Sequence, residues 1–113
     1  MINKEFTNDI YPFKFHLYIG TKQQLNRIRK RKGHSPFKPT STATFIADPD
    51  TWHIQFYFIE DLISVGTIVH ESVHCVHFMY EMISQGISYD DDEHIAYLME
   101  WLTNKIFNYA TNI

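Results

Sequence analysis

Apolar residues recur along the chain first with the period of a strand and later with the period of a helix. Residues 1–11 form a polar start, and Pro12–Ile19 then alternates apolar with other residues before Gly20, which predicts a strand. Its predicted buried face consists of Phe13, Phe15, Leu17 and Ile19. Thr44–Ala47 and Trp52–Ile59 flank an Asp-Pro-Asp turn signal, which predicts an antiparallel hairpin.

Three segments have the apolar spacing of helices. Thr21 is a suitable N-cap for Lys22–Arg31, which would turn Leu25 and Ile28 inward and end at Gly33. A long helix is predicted from Asp61 or its neighbours to about Ser84, with a break at Gln85-Gly86. The last helix is predicted from about Asp90 to Asn108.

These elements predict an α+β fold of one domain, with helices packed on a small sheet in the order β-α-β-β-α-α. A length of 113 residues fits a single core, and 44% hydrophobic residues are typical of a folded chain. The formal net charge of −3 gives no overall attraction for nucleic acid or anionic lipid. With a single Cys, no apparent membrane span and no signal-peptide pattern, the expected location is the cytoplasm.

The predicted penultimate helix contains His70-Glu71-Ser72-Val73-His74, which matches the pattern H-E-x-x-H. On a helix the two histidines stand one turn apart, so both imidazoles can bind one metal ion. Glu71, one position further round, can reach a water in an open coordination position without binding the metal itself. Zn²⁺ lowers the pKa of such a water from ~15.7 towards ~7, and a carboxylate can take its proton as it attacks a carbonyl.

On these residues the chain resembles the zincin metallopeptidases of the gluzincin type, including minigluzincins, ImmA/IrrE-like proteins and small metallopeptidase-like proteins of phages and prophages. The resemblance spans Trp52 to about Leu102. It implies a third metal ligand from a later helix, and Glu93 opens Glu-His-Ile-Ala, which is similar to the E-x-x-A pattern of gluzincins. It also implies that the strand Trp52–Ile59 is an edge that pairs with an extended substrate. The alternating residues of that strand fit a central strand, covered on both faces, equally well.

The third ligand is left open between two carboxylates. Glu93 also fits a capping box with Asp90 as N-cap, which gives it a structural role. If the two helices form a plain antiparallel hairpin, Glu100 would lie level with His74, on the same stripe as Glu93 and Tyr97. A histidine or a water is the remaining alternative, and the carboxylate that does not bind metal can orient an imidazole.

Other side chains near the motif have simpler expected roles. His77 is expected to line the site or to pair with Glu81, and a contact with substrate is the alternative. The gluzincin resemblance also implies a Tyr or His that donates a hydrogen bond to the tetrahedral intermediate. The candidates are Tyr80, Tyr89, His94 and Tyr97, and for each of them a packing role is the simpler interpretation. Cys75 points away from the two histidines and is expected to be a buried small hydrophobe.

One basic cluster runs from Arg27 to Lys32 and is followed by His34 and Lys38. Such a cluster can contact phosphates. No stacking aromatic lies next to it in sequence and the net charge is negative, so a solvated helix end is the preferred interpretation and nucleic acid is not the expected partner.

The sequence thus predicts a minimal zinc-dependent hydrolase acting on a peptide or protein. In it His70, His74 and Glu93 hold Zn²⁺, and Glu71 is the general base. The alternatives are a non-catalytic zincin-fold binding protein with structural zinc, and a regulator that contacts nucleic acid through the basic cluster. The sequence leaves the oligomeric state open.

Overall fold

The computed structural model describes residues 1–83 and 92–111 and has an α+β architecture of four strands and three helices. Most apolar segments of the sequence form the elements expected of them. The elements in chain order are β1 Ile2–Thr7, β2 Lys14–Gly20, α1 Lys22–Arg31, β3 Ala43–Asp48, β4 His53–Ile59, α2 Val65–Met82 and α3 Asp92–Thr111.

The strands form one mixed sheet in the order β1-β2-β4-β3. β1 runs antiparallel to β2, β2 runs parallel to β4, and β3 runs antiparallel to β4. The β3–β4 hairpin is confirmed. The interpretation of β4 as a substrate-binding edge is wrong, because β4 lies between β2 and β3 and the edges are β1 and β3.

The N-terminal segment contains a strand that the sequence analysis missed. β1 occupies most of the segment taken as a polar start, so the order of elements is β-β-α-β-β-α-α. Asn3, Lys4 and Glu5 are all exposed, which hides the strand pattern, while Phe6 is buried against Phe15 with ring centroids 5.1 Å apart. An edge strand pairs with a neighbouring strand along only one lateral edge, and its other edge is open to solvent. Such a strand can belong to a sheet with few apolar residues.

The sheet separates two apolar layers. α2 and α3 pack on one face, where Phe15, Leu17 and Phe56 are buried together with Val76 and Leu98. The opposite face carries α1 and a smaller cluster, formed by Tyr18, Leu25, Ile28, Phe37, Tyr57 and Ile59. The predicted inward positions of Leu25 and Ile28 are therefore confirmed.

The helix ends follow from local hydrogen bonds. In α1 the Thr21 side chain accepts from the Gln24 amide and the Gln24 side chain accepts from the Thr21 amide, so the predicted N-cap is confirmed. Gly33, with φ of 81°, follows the C-cap Lys32 and is the left-handed residue at which the helix stops.

The motif helix begins later than predicted. Its N-cap is Ser64, whose side chain accepts from the Thr67 amide at 3.1 Å, so the helix starts at Val65 and not near Asp61. The predicted end at Ser84, the break at Gln85-Gly86 and the cap at Asp90 lie outside the described residues. α3 extends to Thr111, beyond the predicted end.

Among residues 1–83 and 92–111, none of the helices combines the length and apolar character that a membrane crossing requires.

Candidate metal centre

His70 and His74 lie one turn apart on the exposed side of α2 and bring two ring nitrogens together. Their Nε2 atoms are 3.3 Å apart, with ring centroids at 4.9 Å and ring planes at 77°. Both side chains are exposed, so solvent and an ion can reach them. The structure therefore brings together the two imidazoles that the i, i+4 spacing predicted.

The separation of the two nitrogens can be tested against zinc coordination. Zinc–nitrogen bonds of ~2.0–2.1 Å in tetrahedral geometry put two nitrogen ligands ~3.3–3.4 Å apart. The observed 3.3 Å between His70 and His74 fits this value. It also fits one neutral imidazole donating a hydrogen bond to the other, and the chemistry of the donor pair is compatible with either state.

Glu71 is positioned differently from its two histidine neighbours. Its side chain is only 8% exposed, because α2 turns it towards β3 and the segment that precedes β3. Burial raises the pKa of the Glu71 carboxyl, and the positive charge available to His70 and His74 partly opposes the increase. A carboxyl group with a raised pKa holds a proton more readily than an ordinary glutamate, which suits it to accept and release one during a reaction.

Two open cavities meet at Glu71. One, of about 510 Å³, is lined by Glu71, His74, His77, Glu81 and the rings of Phe45 and Phe78. The other, of about 350 Å³, reaches from His70 and Glu71 across to residues 40–43. The exposed side chain of His77 lines the first cavity together with Glu81. The two cavities share Glu71 in their linings, and both lie between α2 and β3 or the segment that precedes β3.

The third metal ligand is not assembled in the structure. Glu93 and Glu100 are both exposed on α3. Within residues 1–83 and 92–111, no three His, Cys, Asp or Glu side chains form a group that could hold a metal ion. Neither carboxylate is therefore brought to the His70–His74 pair.

The remaining candidates are distributed between core and surface. Cys75 is fully buried and burial raises the pKa of its thiol well above the usual range, so the prediction of a buried small hydrophobe is confirmed. Tyr80 is buried, Tyr97 and His94 are exposed on α3, and Tyr89 lies outside the described residues.

Sequence reasoning missed the aromatic wall of this site. Phe45 of β3 and Phe78 of α2 have ring centroids 6.0 Å apart and both line the larger cavity. Phe45 and Phe78 are both apolar positions in the sequence. Their rings come into contact because β3 is the edge strand that lies beside α2. The sequence predicts that β3 pairs with β4 in a hairpin, but it does not predict that β3 packs against α2.

Comparison of the chain with protein-family models, with curated proteins and with solved structures gives no match.

Proposed function

We propose that the protein is a zinc-dependent hydrolase that cleaves peptide bonds, with its centre on α2. The observation that carries the proposal is the 3.3 Å separation of His70 Nε2 and His74 Nε2 with the buried carboxyl of Glu71 beside them. Two imidazoles at the spacing of a tetrahedral zinc site, next to a carboxyl that can take a proton, are the parts that metal-assisted hydrolysis requires.

When bound, Zn²⁺ supplies Lewis-acid polarisation and lowers the pKa of a water. His70 and His74 would hold the ion, and both side chains are exposed to solvent. Glu71 takes the proton of the attacking water and delivers it to the leaving amine, since its buried position strengthens its hold on a proton.

The proposed substrate is an extended segment of peptide lying along β3. β3 is an edge strand, so one side of its backbone has amide and carbonyl groups that can pair with an added strand. Phe45 points from β3 into the larger cavity, where it and Phe78 offer an apolar surface for one substrate side chain. Glu71 and His74 line the same cavity, so that side chain would lie next to the reacting bond.

Glu93 is proposed as the third ligand, with Glu100 as the alternative. Both are exposed on α3, and either must change its side-chain position to join the pair. The free energy of metal binding is available for that change, because ligand rearrangement and zinc binding are thermodynamically linked.

Zinc binding tests the ligand set directly. We expect purified protein to bind one Zn²⁺ per chain, and His70→Ala, His74→Ala and the alanine variant of the true carboxylate ligand to lose most of the affinity. His53→Ala is the matched control, because His53 is an exposed imidazole on the other face of the sheet. Undiminished zinc binding in His74→Ala would contradict the proposal. Full zinc retention in Glu93→Ala would move the third ligand to Glu100 or elsewhere.

Hydrolysis tests the role of Glu71. We expect Glu71→Gln to keep zinc and to lose peptide cleavage by ~100-fold or more, because the amide cannot accept the proton. Glu60→Gln, which removes an exposed carboxylate before α2, should leave cleavage unchanged. A Glu71→Gln variant that cleaves at the wild-type rate would exclude the mechanism. Zinc binding without any cleavage by the wild type would support the non-catalytic alternative.

A further inference from the structure

The C-terminal end of α1 presents a group of cations that the fold itself does not neutralise. We call this the basic segment: Arg27, Lys30, Arg31 and Lys32, all exposed. α1 contains no acidic residue. The only ion pair within residues 1–83 and 92–111 joins Lys14 to Glu5, so no carboxylate in this part of the chain pairs with the basic segment.

The neighbouring Arg29 shows what a structural cation looks like in this helix. Arg29 is buried, donates to the Ser35 carbonyl at 2.8 Å and to Thr44 Oγ1 at 2.6 Å, and lies 4.8 Å from the Phe37 ring centroid. The basic segment makes no comparable set of contacts. Attraction to the helix C-terminus accounts for one or two cations in the last turn and leaves the others without a role in folding.

Beside the basic segment lies an open cavity of about 400 Å³. We call it the histidine cavity. Lys32 and His34 form one wall, and the β3–β4 hairpin forms the other. Its lining on the hairpin side consists of Ile46, Ala47, Asp48, Pro49, Thr51, His53 and Gln55. It opens on the sheet face that carries α1, so the sheet separates it from the His70–His74 pair.

The ionisable residues that line the histidine cavity are Lys32, Asp48 and the two histidines His34 and His53. Burial, and then the positive charges of Lys32 and His53, hold the pKa of His16 below its usual value, while Glu5 opposes them. Asp48 is the one carboxylate among the residues that line the cavity, and its Oδ1 accepts from the Asp50 amide at 2.9 Å. Hydrogen bonds from the Asp50 amide and then the Thr51 side chain lower the pKa of Asp48, so this carboxylate keeps its negative charge and is held by its own turn.

The fold also brings two aromatic rings close to the basic segment, outside the lining of the histidine cavity. The His16 and Tyr18 rings stack with centroids 4.3 Å apart, and Lys32 Nζ lies 6.0 Å from the Tyr18 ring centroid. His16 is also hydrogen-bonded to Asn3 Oδ1. His53 is exposed and lines the cavity, so its imidazole can be reached by a ligand there.

We propose that the basic segment and the histidine cavity bind single-stranded nucleic acid, with one nucleotide in the cavity and the flanking phosphates on the basic segment. A cavity of about 400 Å³ exceeds the needs of a lone phosphate and lies in the range of small-ligand sites. Gln55, whose Oε1 accepts from the Tyr57 hydroxyl, offers its amide donors to a base edge, and the imidazoles of His34 and His53 offer stacking surfaces.

The spread of the cations favours a strand over a free nucleotide. Arg27 lies five residues before Lys32, which is ~7.5 Å along the helix axis and ~140° around it, so the two side chains point in different directions and suit different phosphates. A duplex is disfavoured because α1 lies flat on the sheet with Leu25 and Ile28 buried beneath it, so the helix cannot enter a groove. This site is independent of the proposed hydrolase centre.

Fluorescence anisotropy with labelled oligouridylate and oligothymidylate of ~12 nucleotides tests the proposal. We expect binding at low salt, with the logarithm of the binding constant falling by ~0.7 per phosphate contact for each tenfold rise in salt. Lys32→Glu and Arg31→Glu should each weaken binding ~10-fold or more and reduce the salt dependence. Lys4→Glu, the same charge change at an exposed position of β1, is the control and should weaken binding far less.

The wild-type protein provides a second test that does not depend on any variant. In NMR titration with the same oligonucleotide, the amide signals of Lys32, His34, His53 and Gln55 should shift, while those of α2 should not. Absence of binding at low salt, equal loss in Lys4→Glu and Lys32→Glu, shifts confined to α2, tighter binding of a duplex, or binding only to phosphatidylserine vesicles would each overturn the proposal.

Discussion

Tyr57 is a phenol held inside the sheet among aromatic neighbours. Its side chain is fully buried, its hydroxyl donates to Gln55 Oε1 at 2.5 Å, and its ring stacks on Tyr18 with centroids 4.9 Å apart. Burial, and then the neighbouring Tyr18, raise the pKa of Tyr57 to about 12, although Arg29 acts in the opposite direction. The folded protein therefore keeps this phenol protonated at a pH where an unfolded chain would ionise it.

This residue predicts a loss of stability at alkaline pH. Between pH ~10 and ~12 the unfolded chain releases the Tyr57 proton and the folded protein retains it, so the free energy of unfolding must fall as pH rises. One such group contributes a slope of up to ~1.4 kcal/mol per pH unit. Urea titrations across this range should show a shallower decline in Tyr57→Phe than in the wild type. Tyr97→Phe, at a residue exposed on α3, is the control and should retain the wild-type slope.

At the same scale, the proximity of His70 and His74 was predictable, and the position of Glu93 and Glu100 relative to them was not. His70 and His74 lie within one helix, where a separation of four residues fixes their relative direction. Joining Glu93 or Glu100 to them depends on how α3 packs against α2, which the sequence does not specify locally. The burial of Glu71 likewise depends on β3, which is distant in sequence and is placed beside α2 by the order of strands in the sheet.

α2, the element that holds the candidate centre, begins at a capping box. Ser64 accepts from the Thr67 amide, and Thr67 Oγ1 in turn accepts from the Ser64 amide at 2.9 Å. We expect Ser64→Ala to lower the free energy of unfolding by about 1 kcal/mol, since it leaves an amide of the first turn without a partner. Ser64→Asp, which supplies another capping oxygen, should recover most of that loss. Urea denaturation followed by circular dichroism measures both, and an unchanged stability in Ser64→Ala would contradict the role of the cap.

Helices and strands bounded by capping or turn residues next to them in sequence were predicted well. Elements that form through contacts with residues distant in sequence were not. The bounds of α1 follow from Thr21 and Gly33, both of which act within a few residues of the helix. β1 has no such local signal. Its inward-facing apolar residues are Ile2 and Phe6, and they indicate a strand only once β2 and α3 are known to pack against them. Leu62 and Ile63 extend the apolar pattern before α2, but the Ser64 cap sets the start of the helix.

At the scale of the whole molecule, β1 ties the N-terminal segment to the last helix. Phe6 stacks on Phe15 and lies 5.8 Å, between ring centroids, from both Trp101 and Tyr109 of α3. We expect Phe6→Ala to destabilise the protein by about 3–5 kcal/mol, because it leaves a cavity between β1, β2 and α3. Phe107→Ala, at an exposed position of α3, should cost much less. Equal melting temperatures of these two variants would show that β1 is not part of the cooperative core.

The central position of β4 has a consequence for synthesis on the ribosome. β2 and β3 both pair with β4, so neither half of the sheet can join the other until Ile59 has left the exit tunnel. Before that point a nascent chain can form the β1–β2 hairpin, and an isolated hairpin is marginally stable. Apolar strand residues such as Phe15 and Leu17 remain uncovered until then, which makes the growing polypeptide a client for chaperones that bind exposed hydrophobic segments.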